Sequence, residues 1–252
     1  MKGLYLYCIG NGPLKSSLGC NGIEAEEVYT LPYRDLSVVL QAFPLEDYEL
    51  KDPEILTGWV QIYDEVLNIA WGKFGTIIPV KFGTVIKEKD GKSPEENLFF
   101  WLDKEYESFQ MKLSRLQEKA EYGVQIFWDK KAFTEKICEN SIEVKKLMEE
   151  ISSKPQGIAY MLKKKLEAQL KKEVEKEAET TFKELYEKIR NAVDEIKVEK
   201  LKETKGKEMF MNVSCLINKN ERSGLERALD EIEMEWDLEA RLVGPFPPYS
   251  FV

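Results

Sequence analysis

No histidine occurs anywhere in the 252 residues. That absence removes Ser–His and Cys–His nucleophilic pairs, imidazole general bases and imidazole metal ligands together. The four cysteines, Cys8, Cys20, Cys138 and Cys215, are widely separated and form no CxxC pair. Cys8 and Cys215 lie inside apolar, strand-like runs, which predicts buried free thiols and no disulfide framework. Neither GxGxxG nor GxxxxGK[ST] is present, so no phosphate-cradling glycine loop is expected. Carboxylate or lysine chemistry remains open. The 46 acidic and 37 basic residues, however, are spread along helices at solvent-face spacing, and no carboxylate pair stands out. The expectation is a chain with no catalytic residue, no metal and no cofactor. Its net charge of −9 lacks the concentrated basic face that nucleic acid or an anionic membrane requires.

Two short segments stand out instead. One is Ile78-Pro79-Val80-Lys81-Phe82-Gly83-Thr84, and the other is the terminal run Leu242-Val243-Gly244-Pro245-Phe246-Pro247-Pro248-Tyr249-Ser250-Phe251-Val252. The first reads as a kinked edge strand, and in the second three prolines hold an apolar tail extended. Both segments could simply pin loops onto the core. Alternatively, aromatic residues on rigid extended backbone make good contact anchors for another protein. On that reading the candidate partner-binding residues are Pro79, Lys81, Phe82, Gly83, Thr84, Pro245, Phe246, Pro247, Pro248, Tyr249 and Phe251. If they are exposed anchors, Phe82→Ala and Phe246→Ala weaken binding and leave unfolding nearly unchanged. If they are staples, both variants unfold at lower temperature.

The elements that carry these segments are legible from periodicity. Strands are expected at 3–9, 26–30 and 36–42, with loop from Gly10 to Gly22. Asp52-Pro53-Glu54 reads as a helix start, and the helix runs to about 72 with Ile55, Leu56, Trp59, Ile62, Tyr63, Val66, Ala70 and Trp71 on a broad apolar face. Residues 76–86 read as extended and broken by Pro79. Ser93-Pro94-Glu95-Glu96 is a capping box opening a helix with Leu98, Leu102, Tyr106, Phe109, Leu113 and Leu116 inside. A strand at 122–128, a helix capped by Asp129 and running to about 150, and a long charged helix at 156–197 follow. In that helix apolar residues from Ile158 to Phe182 recur every fourth position. At 3.6 residues per turn such a stripe drifts round the helix, so the helix bends, changes partner or stands partly in solvent, unless it packs throughout on one sheet. A strand near 198–203, a turn at Lys205-Gly206, a buried strand at 208–217, a helix at 221–235 and an alternating strand from Asp237 to Leu242 complete the chain.

The expected fold class is therefore α+β in two domains. Residues 1–120 would form an N-terminal mixed α/β sheet domain. Residues 121–252 would form a modified ferredoxin-like domain that includes the long charged helix and the extended tail. No run of about 18 apolar residues exists and the start reads as a strand, so a cytoplasmic protein is expected.

The two segments also carry a resemblance. Pro79-Val80-Lys81-Phe82-Gly83-Thr84 and Gly244-Pro245-Phe246-Pro247-Pro248-Tyr249-Ser250-Phe251, with the opening Leu4-Tyr5-Leu6-Tyr7, resemble in order and spacing the signature blocks of the GvpL/GvpF gas vesicle proteins. One departure is that relatives often carry a histidine in the helix before the first block, where this chain has Gln61, Ile62, Tyr63 and Asp64. The resemblance implies a non-enzymatic accessory or minor structural protein of the gas vesicle. Its implied partners are the small hydrophobic shell protein of the GvpA type and other gas vesicle accessory proteins, with no nucleic acid and no membrane. A small-molecule-binding regulatory protein built on the ferredoxin-like domain is the alternative, and it rests on fold analogy alone.

Overall fold

The computed structural model describes residues 2–45, 53–204 and 206–252. Asp52, expected as a helix cap, and Lys205, expected in a turn, lie outside the described residues. The fold is mixed α/β with two sheets of largely antiparallel character. The chain packs as two compact units, Met1–Glu121 with Gly244–Val252, and Tyr122–Val243, so the second is inserted into the first near its end. The tail was expected with the second unit, but it packs with the first because its partners are there.

The first unit is a sheet in the order β2-β3-β4-β1-β5, with β6 also pairing with β1. Its strands are β1 Lys2–Asn11, β2 Ser17–Asn21, β3 Glu27–Tyr33, β4 Leu36–Pro44, β5 Ile77–Pro79 and β6 Val85–Ile86. The β2 strand falls inside the stretch expected as loop. It is short, and Gly19 at φ 86° interrupts any alternation that a reader of the sequence could follow. Helix α1, Pro53–Phe74, buries Trp59, Tyr63, Val66, Leu67 and Ala70 in one cluster with Tyr5, Tyr7, Val39 and Phe43 of β1 and β4. The rings interlock, with centroids 5.8 Å apart for Tyr7 and Tyr63 and 5.7 Å for Phe43 and Trp59. Ile55 and Leu56, expected on the buried face, are exposed.

Leu4 and Leu6 are also buried, on the other face of β1 by the two-residue period of a strand. Helix α2, Pro94–Leu116, packs on β1, β5 and β6. It opens on the expected capping box: Glu96 N donates to Ser93 Oγ (3.2 Å) and Ser93 N to Glu96 Oε2 (2.7 Å). Leu98, Leu102, Phe109, Leu113 and Leu116 are buried, but Tyr106, expected beside them, instead gives its hydroxyl proton to Asp35. Gln110 Nε2 donates to the same carboxylate (2.7 Å), and Arg34 meets Asp103 at 2.6 Å with its guanidinium 4.5 Å from the Tyr106 ring centre. The polar flank of α2 thus grips the β3–β4 turn.

The second unit holds a four-stranded sheet in the order β10-β7-β9-β8. Its strands are β7 Lys119–Trp128, β8 Glu195–Val198, β9 Glu208–Asn218 and β10 Glu239–Phe246. The first residues of β7 and the last of β10 belong to the first unit. As its apolar run suggested, β9 is an inner strand, with Met211, Val213, Cys215, Leu216 and Ile217 all buried. The single helix expected after Asp129 is two, α3 Lys130–Asn140 and α4 Ile142–Ser153. Ser141 divides them: its N–H closes α3 on Ile137 O (2.8 Å), while its Oγ accepts from Val144 N (3.2 Å) and caps α4. Helix α5, Gln156–Arg190, stops short of 197, and the strand expected near 198–203 begins at Glu195. No glycine or proline marks that stop; the ladder to β9, opened by Asp194 N on Leu216 O (3.0 Å), overrides local helix preference. The four-residue stripe of α5 resolves as a change of surroundings. Thr181, Leu185 and Ile189 are buried, whereas no residue from 156 to 180 is, and that portion leans on α3 and α4. Helix α6, Arg222–Trp236, buries Leu225, Ala228, Leu229 and Ile232. No helix among the described residues is long and apolar enough to cross a membrane.

Candidate functional site

Strand β5 ends at Pro79, and the chain then leaves the sheet and returns to it. Val80 N still donates to Tyr7 O (2.9 Å). Lys81 to Thr84 then form a tight turn closed by Thr84 N (3.1 Å) and Thr84 Oγ1 (2.6 Å), both on Lys81 O. Gly83 sits at φ 83°, a conformation that a Cβ disfavours, and its N–H donates to Tyr5 Oη (2.9 Å). Leu6 N meets Thr84 O at 3.0 Å, which returns the chain to β1 as β6. The excursion delivers the Phe82 ring to Tyr63, centroids 5.4 Å apart and near perpendicular, and to Tyr5 at 6.4 Å. The Tyr63 hydroxyl donates to Val80 O and holds the turn against α1.

The tail reaches the same place. After a cis Gly244–Pro245 bond, Pro247 and Pro248 are buried and Tyr249–Phe251 makes one short 3-10 turn. Ser250 donates twice to the buried carboxylate of Glu121, from N (2.7 Å) and from Oγ (2.6 Å). The Arg115 guanidinium donates to Phe251 O, and the Phe251 side chain is 2% exposed. Tyr249 Oη donates to Asp64 Oδ1 on α1 (3.2 Å).

Between them lies an open cleft of about 630 Å3, walled by Val60, Tyr63, Asp64 and Asn68 of α1, Pro79 to Phe82, and Phe246, Tyr249 and Val252. Val60, Phe246 and Val252 leave 42%, 40% and 37% of their surfaces in solvent at its rim. Its one carboxylate, Asp64, already accepts from Tyr249, and its one cation is Lys81. Such walls desolvate apolar side chains and offer few groups for proton transfer. Among the described residues, no cluster of three or more Cys, Asp or Glu is placed to hold a metal ion.

Of the residues singled out from the sequence, Pro79, Lys81, Phe82, Phe246 and Tyr249 meet in this cleft. Pro247, Pro248 and Phe251 are the buried residues of the tail, Gly83 and Thr84 serve the turn, and Pro245 is exposed. Phe82, expected among the exposed anchors, is half-buried between two tyrosines and so acts as a staple as well. The contribution of α1 was not anticipated. Val60, Asp64 and Asn68 lie four apart on one line of the helix, beside the buried Tyr63.

Burial sets the acidity of this region. It pushes the phenols of Tyr7, Tyr63 and Tyr249 and the thiol of Cys8 well above their ordinary values; for Tyr249 the Asp64 carboxylate adds to the effect. A folded-state pKa above the unfolded one favours the folded state below the unfolded pKa, and that advantage is lost as pH rises past it. Unfolded tyrosine and cysteine ionise near 10 and 9. The urea midpoint is therefore expected to hold steady to about pH 9 and to fall progressively above it. A midpoint unchanged to pH 11 would contradict the burial of these groups.

The family described as "Gas vesicle synthesis protein GvpL/GvpF" matches residues 3–252. The chain belongs to the GvpL/GvpF family. It is 25% identical to gas vesicle protein L1 of Halobacterium salinarum over 99% of this chain and 90% of that one. It is 22% identical to gas vesicle protein F of Nostoc sp., covering 99% and 98%. The crystal structure of the gas vesicle protein GvpF from Anabaena sp. superposes with a TM-score of 0.79 at 20% identity, covering 100% of this chain and 98% of that one. The GvpF structure from Microcystis aeruginosa gives 0.69 at 18%, covering 99% and 98%. Both share the mixed α/β fold. As a GvpL/GvpF protein, the chain takes part in gas vesicle formation.

Proposed function

We propose that the chain is a non-catalytic assembly factor that uses the cleft of its first unit to hold an apolar segment of the gas vesicle shell protein, of the GvpA type, before that subunit enters the wall. The observation that carries this reading is the convergence of both signature segments on one apolar cleft whose rim leaves Val60, Phe246 and Val252 exposed. A shell that faces gas needs an apolar surface, and a subunit carrying one must be covered until it assembles. A turn pinned by Tyr5 and Tyr63 and a tail pinned by Glu121 and Arg115 are already ordered, so docking onto them loses little entropy. The exposed apolar rim favours a protein over a small ligand, because the Tyr63 and Tyr249 hydroxyls are engaged with Val80 O and Asp64, and the other polar side chains on the walls are Asp64, Asn68 and Lys81. On this reading the protein works in the cytoplasm and at the growing vesicle, alongside other accessory proteins and without nucleic acid or membrane. The second unit is read as an enlarged ferredoxin-like scaffold. Its strand–helix–strand–strand–helix–strand succession and its order β10-β7-β9-β8 support that.

Phe246→Ala is the direct test, with binding of purified shell protein measured by titration. The ring is 40% exposed, so the thermal midpoint should move little, while affinity drops at least about tenfold if Phe246 is an anchor. Phe82→Ala separates the roles, since it should lose about 2 kcal/mol of stability as well. Normal binding by both folded variants would place the shell contact elsewhere.

A further inference from the structure

The second unit carries two unlike surfaces at opposite ends of α5. Around the α4–α5 junction, residues 142–165 hold six lysines against three glutamates, a local charge of +3 in a chain of −9. Lys163, Lys164 and Lys165 are consecutive and exposed. Among these charges Met148 on α4 is 49% exposed, and Ile158, Tyr160 and Met161, on the portion of α5 where nothing is fully buried, are 53%, 61% and 73% exposed. At the other end, Lys188 ties α6 to α5 through Glu231 (3.1 Å) and Glu235 (2.9 Å). Residues 221–239 there hold eight acidic residues against two arginines, and Lys136, Lys188, Lys207 and Arg241 pair with Asp237, Glu231, Glu235 and Glu239, which leaves this surface a net charge of −2, with Met234 82% exposed. Met161 and Lys188 are 27 positions apart on one helix, about 40 Å at 1.5 Å per residue. One copy cannot close that distance on itself.

We infer that the basic, methionine-bearing end of α5 in one molecule docks on the acidic α6 surface of a second copy, head to tail. Each surface combines exposed apolar area with a charge excess opposite to the other's. Paired, they bury methionines that adapt readily to a partner. The two patches are different, so the contact is heterologous and can propagate, as a ring or a filament. A chain of copies would present the first unit repeatedly, which raises the effective concentration for any ligand that recurs in a shell. The inference stands on the second unit alone and does not depend on the shell-binding cleft.

Sedimentation of the full chain tests it. At low salt the mean mass should rise above the 29.3 kDa monomer as concentration increases, and return to it in about 0.5 M salt, where screening is short-ranged. A variant with Met161→Glu and Lys164→Glu, and another with Asp230→Lys and Met234→Lys, should each weaken self-association at least tenfold. Mixing the two should restore at least dimers, because the intact basic end of the second variant meets the intact α6 surface of the first. All four positions are exposed, and unchanged helicity confirms that the variants fold. A chain monomeric at every concentration in low salt would overturn the inference. So would association that survives both charge reversals, or charge-reversal effects seen only in binding to phosphatidylglycerol vesicles.

Discussion

Phe251→Ala is expected to lower the stability of the first unit by about 3–5 kcal/mol, the range for removing a fully buried aromatic ring. The ring sits in the tail, a kind of segment that is ordinarily poorly ordered unless tied down. Here it is 2% exposed, and the backbone around it is held by Arg115 on its carbonyl and by Glu121 on Ser250. Truncation after Val243 removes the ring, both buried prolines and these hydrogen bonds together, and leaves the buried Glu121 carboxylate without the two donors of Ser250. Its expected cost exceeds that of the point variant. Chemical denaturation followed by tryptophan fluorescence, in a chain with Trp128 and Trp236 of the second unit replaced by phenylalanine, reads the first unit with probes that the tail does not carry. A truncated chain with an unchanged midpoint would show that the tail is an appendage rather than part of the core. Since the tail also walls the cleft, the same truncation should abolish the proposed shell binding, whereas Phe246→Ala should affect that binding alone.

Gly22→Ala should be nearly as damaging, at about 3 kcal/mol or more, for a different reason. Gly22 lies against a buried polar cluster in which Tyr7 Oη donates to Gln41 Oε1, Ile23 N donates to Tyr7 Oη (3.1 Å), and Gln41 Nε2 donates to Ile23 O (2.8 Å). A methyl group on Gly22 would overlap both Gln41 Oε1 and the Tyr7 hydroxyl. Relief requires either moving β4 or breaking the cluster, and a broken cluster leaves buried donors and acceptors unpaired at about 1–3 kcal/mol each. Gln41→Leu should not rescue the alanine variant, because it takes the acceptor from the buried Tyr7 hydroxyl and leaves Ile23 O only the long bond from Glu26 N (3.4 Å). Equal denaturation midpoints for Gly22→Ala and the parent chain would refute this account. The cluster also shows why Gln41, in the middle of an apolar strand, is 0% exposed: it fastens the turn at Ile23–Ala25 to the sheet.

Much of this architecture can be read before folding is considered. Apolar periodicity marks α1, α2, α6, β1, β4 and β9, since burying one face imposes a repeat of 3.6 or 2 on the chain itself. The capping groups Ser93 and Asp129 are equally local, because a cap bonds backbone only two or three residues away. The elements misread share the opposite property. Strand β2 has little pattern of its own and exists because β3 offers a ladder, and the end of α5 is decided by β9. Ser141 splits a helix where composition alone is as consistent with continuity.

The same division holds for the site. By themselves, the residue types determined that no imidazole or clustered-thiol chemistry is available and that two rigid, aromatic segments separated by about 160 residues call for explanation. Their spacing identified the family. Only the tertiary structure decided that the two segments meet, that α1 supplies the third wall, and that Phe251 and Pro247 are core while Phe246 is surface. The reason is physical: in an extended, proline-fixed segment, which side chains turn inward is set by the surface it lies on. That surface here is built from Tyr63, Asp64, Arg115 and Glu121, which no local pattern links to the tail.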